Sequence, residues 1–297
     1  MTDRSYGSPV AFRAALTARL KSMAKASPWT TTQLQRQFAY DRLLERLYLA
    51  DEDWIVKGAT ALLARDIGVR GSLDIDVYRQ AAHEQAESDL RTAASRDIGD
   101  WFRFELGNSQ VMENATRGAH IPVIAFVGAT RWAQFHIDLV GSDVRMTGVP
   151  DDVPALARVA MPDVEQHGYR AYPLVDHVAD KIAAVFQRYG QTQAPSTRYR
   201  DLVDLVAITT SASVRADAQL VALNSELQRR DIPMPRRFDV PIRSLWEPGY
   251  ASAAATSLLP VAHDLDEALG IARLFAEPLF DGSARGVWDP ASRTWLS

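Results

Sequence analysis

The run from Leu73 to Tyr78 constrains this chain more than any other segment, because its hydropathy alternates with a period of two. That period belongs to a β-strand, whose successive side chains leave opposite faces. Ser72, Asp74 and Asp76 therefore share one face, while Leu73, Ile75 and Val77 point into a core. Aspartate is a poor strand former, and two carboxylates placed side by side repel. Their placement asks for a cation. Hard divalent ions such as Mg²⁺ or Mn²⁺ prefer oxygen ligands and share their shell with phosphates and water, which makes Asp74 and Asp76 candidate metal ligands. Taken alone, the run is more often a solvated strand with two exposed aspartates.

The surrounding pattern is that of an α/β (α+β) protein with a mixed sheet. Two helices open it: Ser8 to Lys25, begun by Ser-Pro with Phe12, Leu16, Leu20 and Met23 at helical spacing, and a second capped by Thr31 or Thr32 with an apolar stripe from Leu34 to Leu49. Short strands are expected at Trp54 to Val56, Trp101 to Leu106, Pro122 to Val127 and Trp132 to Val140, with helices at Thr60 to Ile67 and Ala82 to Ser95. Asn108 to Gly118 reads as a loop and the proline-containing Val153 to Tyr172 as a connector. The C-terminal half is helical at Leu174 to Tyr189, Tyr199 to Thr209, Leu220 to Leu227 and Ala262 to Phe275, with the Pro-rich stretch Pro233 to Pro248 as a break.

Composition narrows the chemistry. A chain of 297 residues, 47% hydrophobic, can bury a sizeable core. No run of about 18 apolar residues occurs, and the polar start Met1 to Ser8 lacks a signal-type apolar segment, so the expectation is a soluble, cytoplasmic protein with no membrane partner. The absence of cysteine excludes disulfides and thiolate zinc sites and leaves oxygen or imidazole for any metal. A net charge of −4 argues against a surface that binds polyanions everywhere, so RNA binding has to be a local patch. Of 33 basic residues only Lys21, Lys25, Lys57 and Lys181 are lysine. No Walker or dinucleotide fingerprint, no Gly-x-Ser-x-Gly and no histidine pair at zinc-ligand spacing is present.

A third carboxylate strengthens the metal reading. In Trp132 to Val140, Phe135, Ile137 and Leu139 alternate with His136 and Asp138, which puts Asp138 on the polar face of a second strand. If the two strands are neighbours, three carboxylates converge, as two-metal phosphoryl transfer requires. By itself Asp138 is as readily an edge-strand solubiliser, and a lone strand histidine such as His136 is more often structural. Asp201 and Asp204, three apart on a helix, share a face; with Lys181 they read unaided as a solvated helix surface, and the fold is expected to tolerate replacement of Lys181.

Together the segments Val56-Lys57-Gly58-Ala59-Thr60-Ala61-Leu62 and Ser72-Leu73-Asp74-Ile75-Asp76 resemble the strand-turn-helix and DxD signature of the DNA polymerase β-like nucleotidyltransferase superfamily. Asp180-Lys181-Ile182-Ala183-Ala184 and Arg200-Asp201-Leu202-Val203-Asp204-Leu205 resemble further motifs of its AbiEii branch, which includes the mycobacterial MenT toxins. The resemblance runs from about Trp54 to Ile208. It implies a nucleotidyltransferase core with N-terminal helices over residues 1–150, and a mainly helical domain over 151–297 that contributes the Lys181 and Asp201/Asp204 motifs. It further implies that Asp74 and Asp76 bind metal, that Ser72 and Lys181 contact nucleotide phosphates, and that one of Asp201 and Asp204 completes the site; Asp138 is the third metal candidate on the strand pattern. Lys57, Gly58 and Thr60 of the turn become candidate nucleotide contacts. One departure stands out: the family's turn usually reads Gly-Gly or Gly-Ser, whereas here it is Gly58-Ala59, which is expected to alter the nucleotide contact because alanine resists positive φ.

The activity this implies is transfer of a nucleotide from a nucleoside triphosphate to an acceptor hydroxyl with release of pyrophosphate, by a toxin with a cognate antitoxin. The acceptor implied is RNA, at the 3′ end of transfer RNA, so that translation is blocked. A small-molecule nucleotidyltransferase and a nucleotide-binding module without turnover are the competing readings. An acceptor surface is sought in the arginine-rich stretch from Arg229 and Arg230 through Arg236 and Arg237 to Arg243, with Arg198 and Arg200 next in line. The plainer reading is that these arginines pair with Glu226, Asp231 and Asp239.

Overall fold

The computed structural model describes residues 5–112, 118–142, 144–162 and 164–297. Residues 113–117 of the expected loop, residue 163 of the expected connector and residues 1–4 lie outside the described residues. The chain divides into two compact units: Met1–Arg65, Ser72–Val144 and Asp152–Ala171 form the first, and Asp66–Gly71, Arg145–Asp151 and Tyr172–Ser297 the second.

The first unit opens with α1 (Pro9–Lys25) and α2 (Thr31–Tyr48). Ser8 caps α1 by accepting from the Ala11 N–H at 3.2 Å, and Phe12, Leu16 and Leu20, one turn apart, are fully buried. The cap of α2 is Thr30, one residue before the expected Thr31 or Thr32; Thr30 is the last extended residue, and it forms a reciprocal capping box with Gln33. There follow β1 (Trp54–Lys57), α3 (Gly58–Ala64), β2 (Asp74–Arg79), α4 (His83–Ala94), β3 (Phe102–Leu106), β4 (Gln110–Met112), β5 (Gly118–Val127), β6 (Thr130–Val140), β7 (Asp151–Val153) and β8 (Tyr169–Ala171).

These strands make a mixed sheet in the order β3-β5-β6-β2-β1-β8-β7, with β4 also paired to β5. The central strand β2 lies parallel to β6 and antiparallel to β1. One face is apolar: Val56, Ile75, Val77, Ile137, Leu139 and Ile121 pack into a core shared with Leu16, Phe38 and Leu43 of the opening helices. Leu73 departs from the alternation reading. It lies in the bend before β2 begins and is 57% exposed, because only residues inside the pleat are committed to a face.

Two segments expected to be irregular carry structure. Gln110 to Met112 forms β4, and the connector from Val153 to Tyr172 contributes β8 and is tied to α2 by buried polar groups. Asp41 accepts from the Leu156 and Ala157 N–H groups at 2.8 and 2.9 Å and from the Tyr169 hydroxyl. Arg42 donates to the Glu165 carbonyl, and Arg42 and Arg46 both pair with buried Asp100. An apolar-periodicity reading does not see such ties, since they run through charged residues on a helix face.

The second unit holds α5 (Leu174–Phe186), α6 (Tyr199–Thr209), α7 (Ala216–Arg229), α8 (Arg243–Ala255) and α9 (Leu265–Phe280), followed by the hairpin β9 (Val287–Asp289) and β10 (Thr294–Leu296). Helix α8 runs through Pro248 inside the stretch expected to break. A proline forfeits a helix hydrogen bond, but burial of Trp246 and Tyr250 offsets it, and both side chains are anchored: the Trp246 Nε1–H donates to the Ser196 carbonyl at 2.8 Å and the Tyr250 hydroxyl to the Ala262 carbonyl at 2.7 Å. In the hairpin, fully buried Trp288 donates to the Thr209 carbonyl at 2.7 Å.

Candidate active site

The polar face of the first unit's sheet carries a row of functional side chains in register. Lys57 on β1 is the Cα partner of Asp76 on β2, Asp76 of Asp138 on β6, and Asp138 of His120 on β5. The adjacent row pairs Asp74 on β2 with His136 on β6. Residues directly opposite on neighbouring strands project to the same side, so three carboxylates, two imidazoles and one ammonium share this face. The strands of Asp74/Asp76 and Asp138 are neighbours, which was the condition left open by the sequence.

The carboxylates are held. A ring nitrogen of His120, Nδ1, lies 2.6 Å from Asp138 Oδ1, and Nδ1 of His136 lies 3.2 Å from Asp74 Oδ1. An ionised carboxylate only accepts, which assigns the donating proton to Nδ1 in each case. The two rings stack on each other with centroids 4.3 Å apart. Burial, followed by the negative charge of Asp74, pushes the Asp138 carboxyl above its ordinary range against the opposing bond from His120. His120 was missed by the sequence reading, which started its strand at Pro122; the alternation of buried Ala119 and Ile121 around it is the signal that extends the strand back.

Backbone geometry around Asp76 explains the first glycine of the turn. Gly58 has φ +60°, and a Cβ built there would sit 1.8 Å from Asp76 Oδ2. Only glycine fits this left-handed, crowded position. Ala59, the departure from the family pattern, is buried within α3 and is not among the residues with positive φ, so its Cβ meets no backbone strain. Thr60 is fully buried and its hydroxyl donates to the Asp74 carbonyl at 3.3 Å, so it fixes the backbone of β2. Ser72 lies just before β2: its hydroxyl accepts from the Asp74 N–H at 3.2 Å, and its carbonyl accepts from the Tyr40 hydroxyl at 3.0 Å. Burial, with Asp74 and Asp76 nearby, keeps the Tyr40 phenol protonated well above its ordinary range.

The donor set suits a hard divalent cation, because three carboxylates share one sheet face and oxygen is the donor such an ion prefers. Among the described residues no three His, Asp or Glu side chains are already gathered as a ligand set for an ion.

In the second unit, Lys181, Asp201 and Asp204 form a buried ionic cluster. Lys181 is 5% exposed and its Nζ donates to Asp204 at 2.7 Å and Asp201 at 3.1 Å. Arg70 grips Asp204 through two bonds of 2.9 and 2.8 Å, and Arg198 pairs with Asp201. Burial opposes every one of these charges. Asp204 and Asp201 nonetheless outweigh it at Lys181 and hold the ammonium above its ordinary range, while Lys181, with Arg198 and Arg70, holds the two carboxyls below theirs. These residues are therefore not the solvated helix surface that spacing alone suggests.

The arginine-rich stretch is largely neutralised. Arg229 and Arg230 pair with Glu226, and Arg243 with Glu247 and Asp266. Arg237 reaches Glu277 only at 3.9 Å, and Arg236 and Arg200 are exposed without an ion pair among the described residues.

The geometry can be set beside known proteins. The family model described as "Nucleotidyl transferase AbiEii toxin, Type IV TA system" matches residues 42–271. Sequence comparison with curated proteins gives no match. Among solved structures the chain is similar to MenT4, a nucleotidyltransferase toxin from Mycobacterium tuberculosis, at 14% identity over 89% of each chain with a TM-score of 0.56. It also matches JHP933 from Helicobacter pylori, at 13% identity over 83% of this chain and 94% of that one, with a TM-score of 0.43. The MenT4 likeness shows a shared fold, with N-terminal helices, a mixed sheet and a helical C-terminal region. The motifs of the turn, the aspartate strand and helices α5 and α6 all fall inside the family match, and the chain belongs to the AbiEii family of nucleotidyltransferase toxins of type IV toxin–antitoxin systems.

Proposed function

We propose that the protein transfers a nucleotidyl group from a nucleoside triphosphate to a hydroxyl at the 3′ end of transfer RNA, on the face carrying Asp74, Asp76 and Asp138. The observation that carries this reading is the register that aligns Asp76 with Asp138 and sets Asp74 one pleat away on the same face. In the reaction the acceptor oxygen bonds to the α-phosphorus, the bond to the bridging oxygen breaks, and pyrophosphate leaves. Divalent cations, when bound by the three aspartates, supply charge neutralisation of the triphosphate and acidify the acceptor hydroxyl. Gly58 gives the chain room to pass Asp76, and Ser72 and Lys57 flank the same face as candidate phosphate contacts.

Lys181, Asp201 and Asp204 enter the proposal as a cluster that shapes the second unit. Direct phosphate contact by Lys181 asks its ammonium to exchange one of two carboxylate partners for a ligand. For RNA, the exposed Arg236, Arg237 and Arg200 are the proposed phosphate contacts, with Arg198 already engaged by Asp201. Blocking the acceptor end of transfer RNA would stop translation in the cytoplasm, and a cognate antitoxin is the partner this role calls for. No described helix is long and apolar enough to cross a membrane.

The experiment is incubation with total RNA, Mg²⁺ or Mn²⁺ and each labelled triphosphate in turn. Label is expected on RNA of transfer-RNA size, at the 3′ terminus, with Asp76→Ala folded and inactive. Transfer by Asp76→Ala at the wild-type rate, or label confined to small molecules, would refute the proposal.

A further inference from the structure

We propose that His120 is a positioning residue for the metal site: its Nδ1–H holds one oxygen of Asp138 so that the other oxygen is presented to a divalent cation, and stacked His136 does the same for Asp74. The inference rests on the metal reading of the three aspartates.

The sheet itself sets up the arrangement. Strands β5, β6 and β2 are consecutive neighbours, and each histidine sits at the Cα-partner position of the carboxylate it holds, His120 opposite Asp138 and His136 opposite Asp74. Side chains in such pairs start about 5 Å apart at Cβ, so it is the ring nitrogen nearer the backbone that can reach across. That is the nitrogen observed in contact, at 2.6 Å for His120 and 3.2 Å for His136.

An aspartate on a crowded acidic face turns away from its neighbours unless something fixes it. One N–H on one oxygen removes that freedom and leaves the second oxygen for a ligand. The stacking of the two rings, 4.3 Å between centroids and 28° between planes, restricts rotation of each ring, so loss of either loosens both carboxylates. Both histidines are only about one-third exposed, 32% and 35%, which limits their exchange of Asp for water.

The test uses full-length, nucleotide-free protein titrated with Mn²⁺ by calorimetry, together with the melting temperature of the metal-free protein and steady-state transfer kinetics. His120→Ala is expected to weaken Mn²⁺ binding by about 10- to 100-fold, with melting unchanged and loss in kcat rather than in KM for the triphosphate. His120→Asn places an amide N–H near the Nδ1 position and is expected to restore affinity to within a few-fold. His120→Gln, whose amide matches the far ring nitrogen, is expected to bind as weakly as the alanine variant. Wild-type or tighter Mn²⁺ affinity in His120→Ala overturns the proposal, since tighter binding would make His120 a latch that keeps Asp138 from the ion. Wild-type protein that binds Mn²⁺ no better than Asp138→Asn overturns it as well. Because the titration needs neither triphosphate nor acceptor, weakened Mn²⁺ binding in a protein that transfers no nucleotide would uphold the positioning role and refute only the proposed reaction.

Discussion

Replacing Lys181 by methionine removes one cation from a buried cluster while keeping most of the side-chain volume. Asp204 retains the two-bond grip of Arg70 and Asp201 retains Arg198, but each loses its bond to the ammonium at 2.7 and 3.1 Å. Breaking a buried ion pair from one side typically costs about 3–5 kcal/mol, because the remaining charge stays desolvated. The surviving guanidinium groups place the expected loss at the low end, about 3 kcal/mol, or a fall in melting temperature on the order of 10 °C. A solvated Lys181 would give almost none. The pH dependence supplies a second signature. Asp201 and Asp204 are held below their ordinary range, so their contribution is present above about pH 4, the unfolded value, and is lost as pH falls through the folded values. Removing Lys181 raises both folded values, and the penalty of the substitution should shrink as pH is lowered from 7 toward 4. Thermal and urea unfolding at a series of pH values, followed by tryptophan fluorescence to which Trp246 and Trp288 of the same unit contribute, read the melting temperature and the pH-dependent penalty. A melting temperature within about 2 °C of wild type, or a penalty that grows on acidification, would refute the buried-cluster reasoning.

Gly58→Ala should lose activity by at least about 100-fold, because a Cβ at φ +60° meets Asp76 Oδ2 and either the turn or the carboxylate must move; Ala59→Gly should keep activity and lose about 1 kcal/mol of stability, read by melting and turnover of the two variants. Burial pushes the Asp41 carboxyl up to about 6 despite its bonds from Tyr169, Ala157 and Leu156, so its contribution is full below about pH 4 and is lost as pH rises through 6, by about 3 kcal/mol. Urea midpoints of wild type and Asp41→Asn should therefore diverge in slope across that window, and parallel curves would count against the assignment. Charge reversal at Arg236 and Arg237 should weaken RNA binding and flatten its salt dependence by about 0.7 per lost contact while triphosphate binding is unchanged; unaltered RNA affinity would direct attention to Arg200.

The shared face of the candidate site's three aspartates was legible because it obeys a local rule. Alternation around Asp74, Asp76 and Asp138 fixes their face, and the structure adds only that β2 and β6 are neighbours. Helix α6 was read to the residue because its apolar stripe is continuous, whereas α8 was lost to Pro248, whose local penalty is outweighed by the burial of Trp246 and Tyr250. His120 escaped because a strand of ten residues was read from its strongest apolar part alone. The Lys181 cluster was beyond reach for another reason: its partner Arg70 is far away in sequence and lies in a segment without periodicity, and only tertiary packing turns a charged helix face into a buried one. The same holds for Asp41, whose backbone partners Leu156 and Ala157 lie in the connector, and for Asp100, a bend residue held by Arg42 and Arg46 of α2.

The central claim is that Asp74, Asp76 and Asp138 together hold the catalytic cation. Crystals grown with a non-hydrolysable triphosphate and soaked in Mn²⁺ give the most direct measurement, through the anomalous signal of manganese. The account predicts a peak about 2.0–2.3 Å from carboxylate oxygens of all three aspartates, bridged to phosphate oxygens, with the His120 to Asp138 bond intact. Manganese bound elsewhere on the chain, or on the triphosphate with none of the three aspartates as ligands, would contradict it.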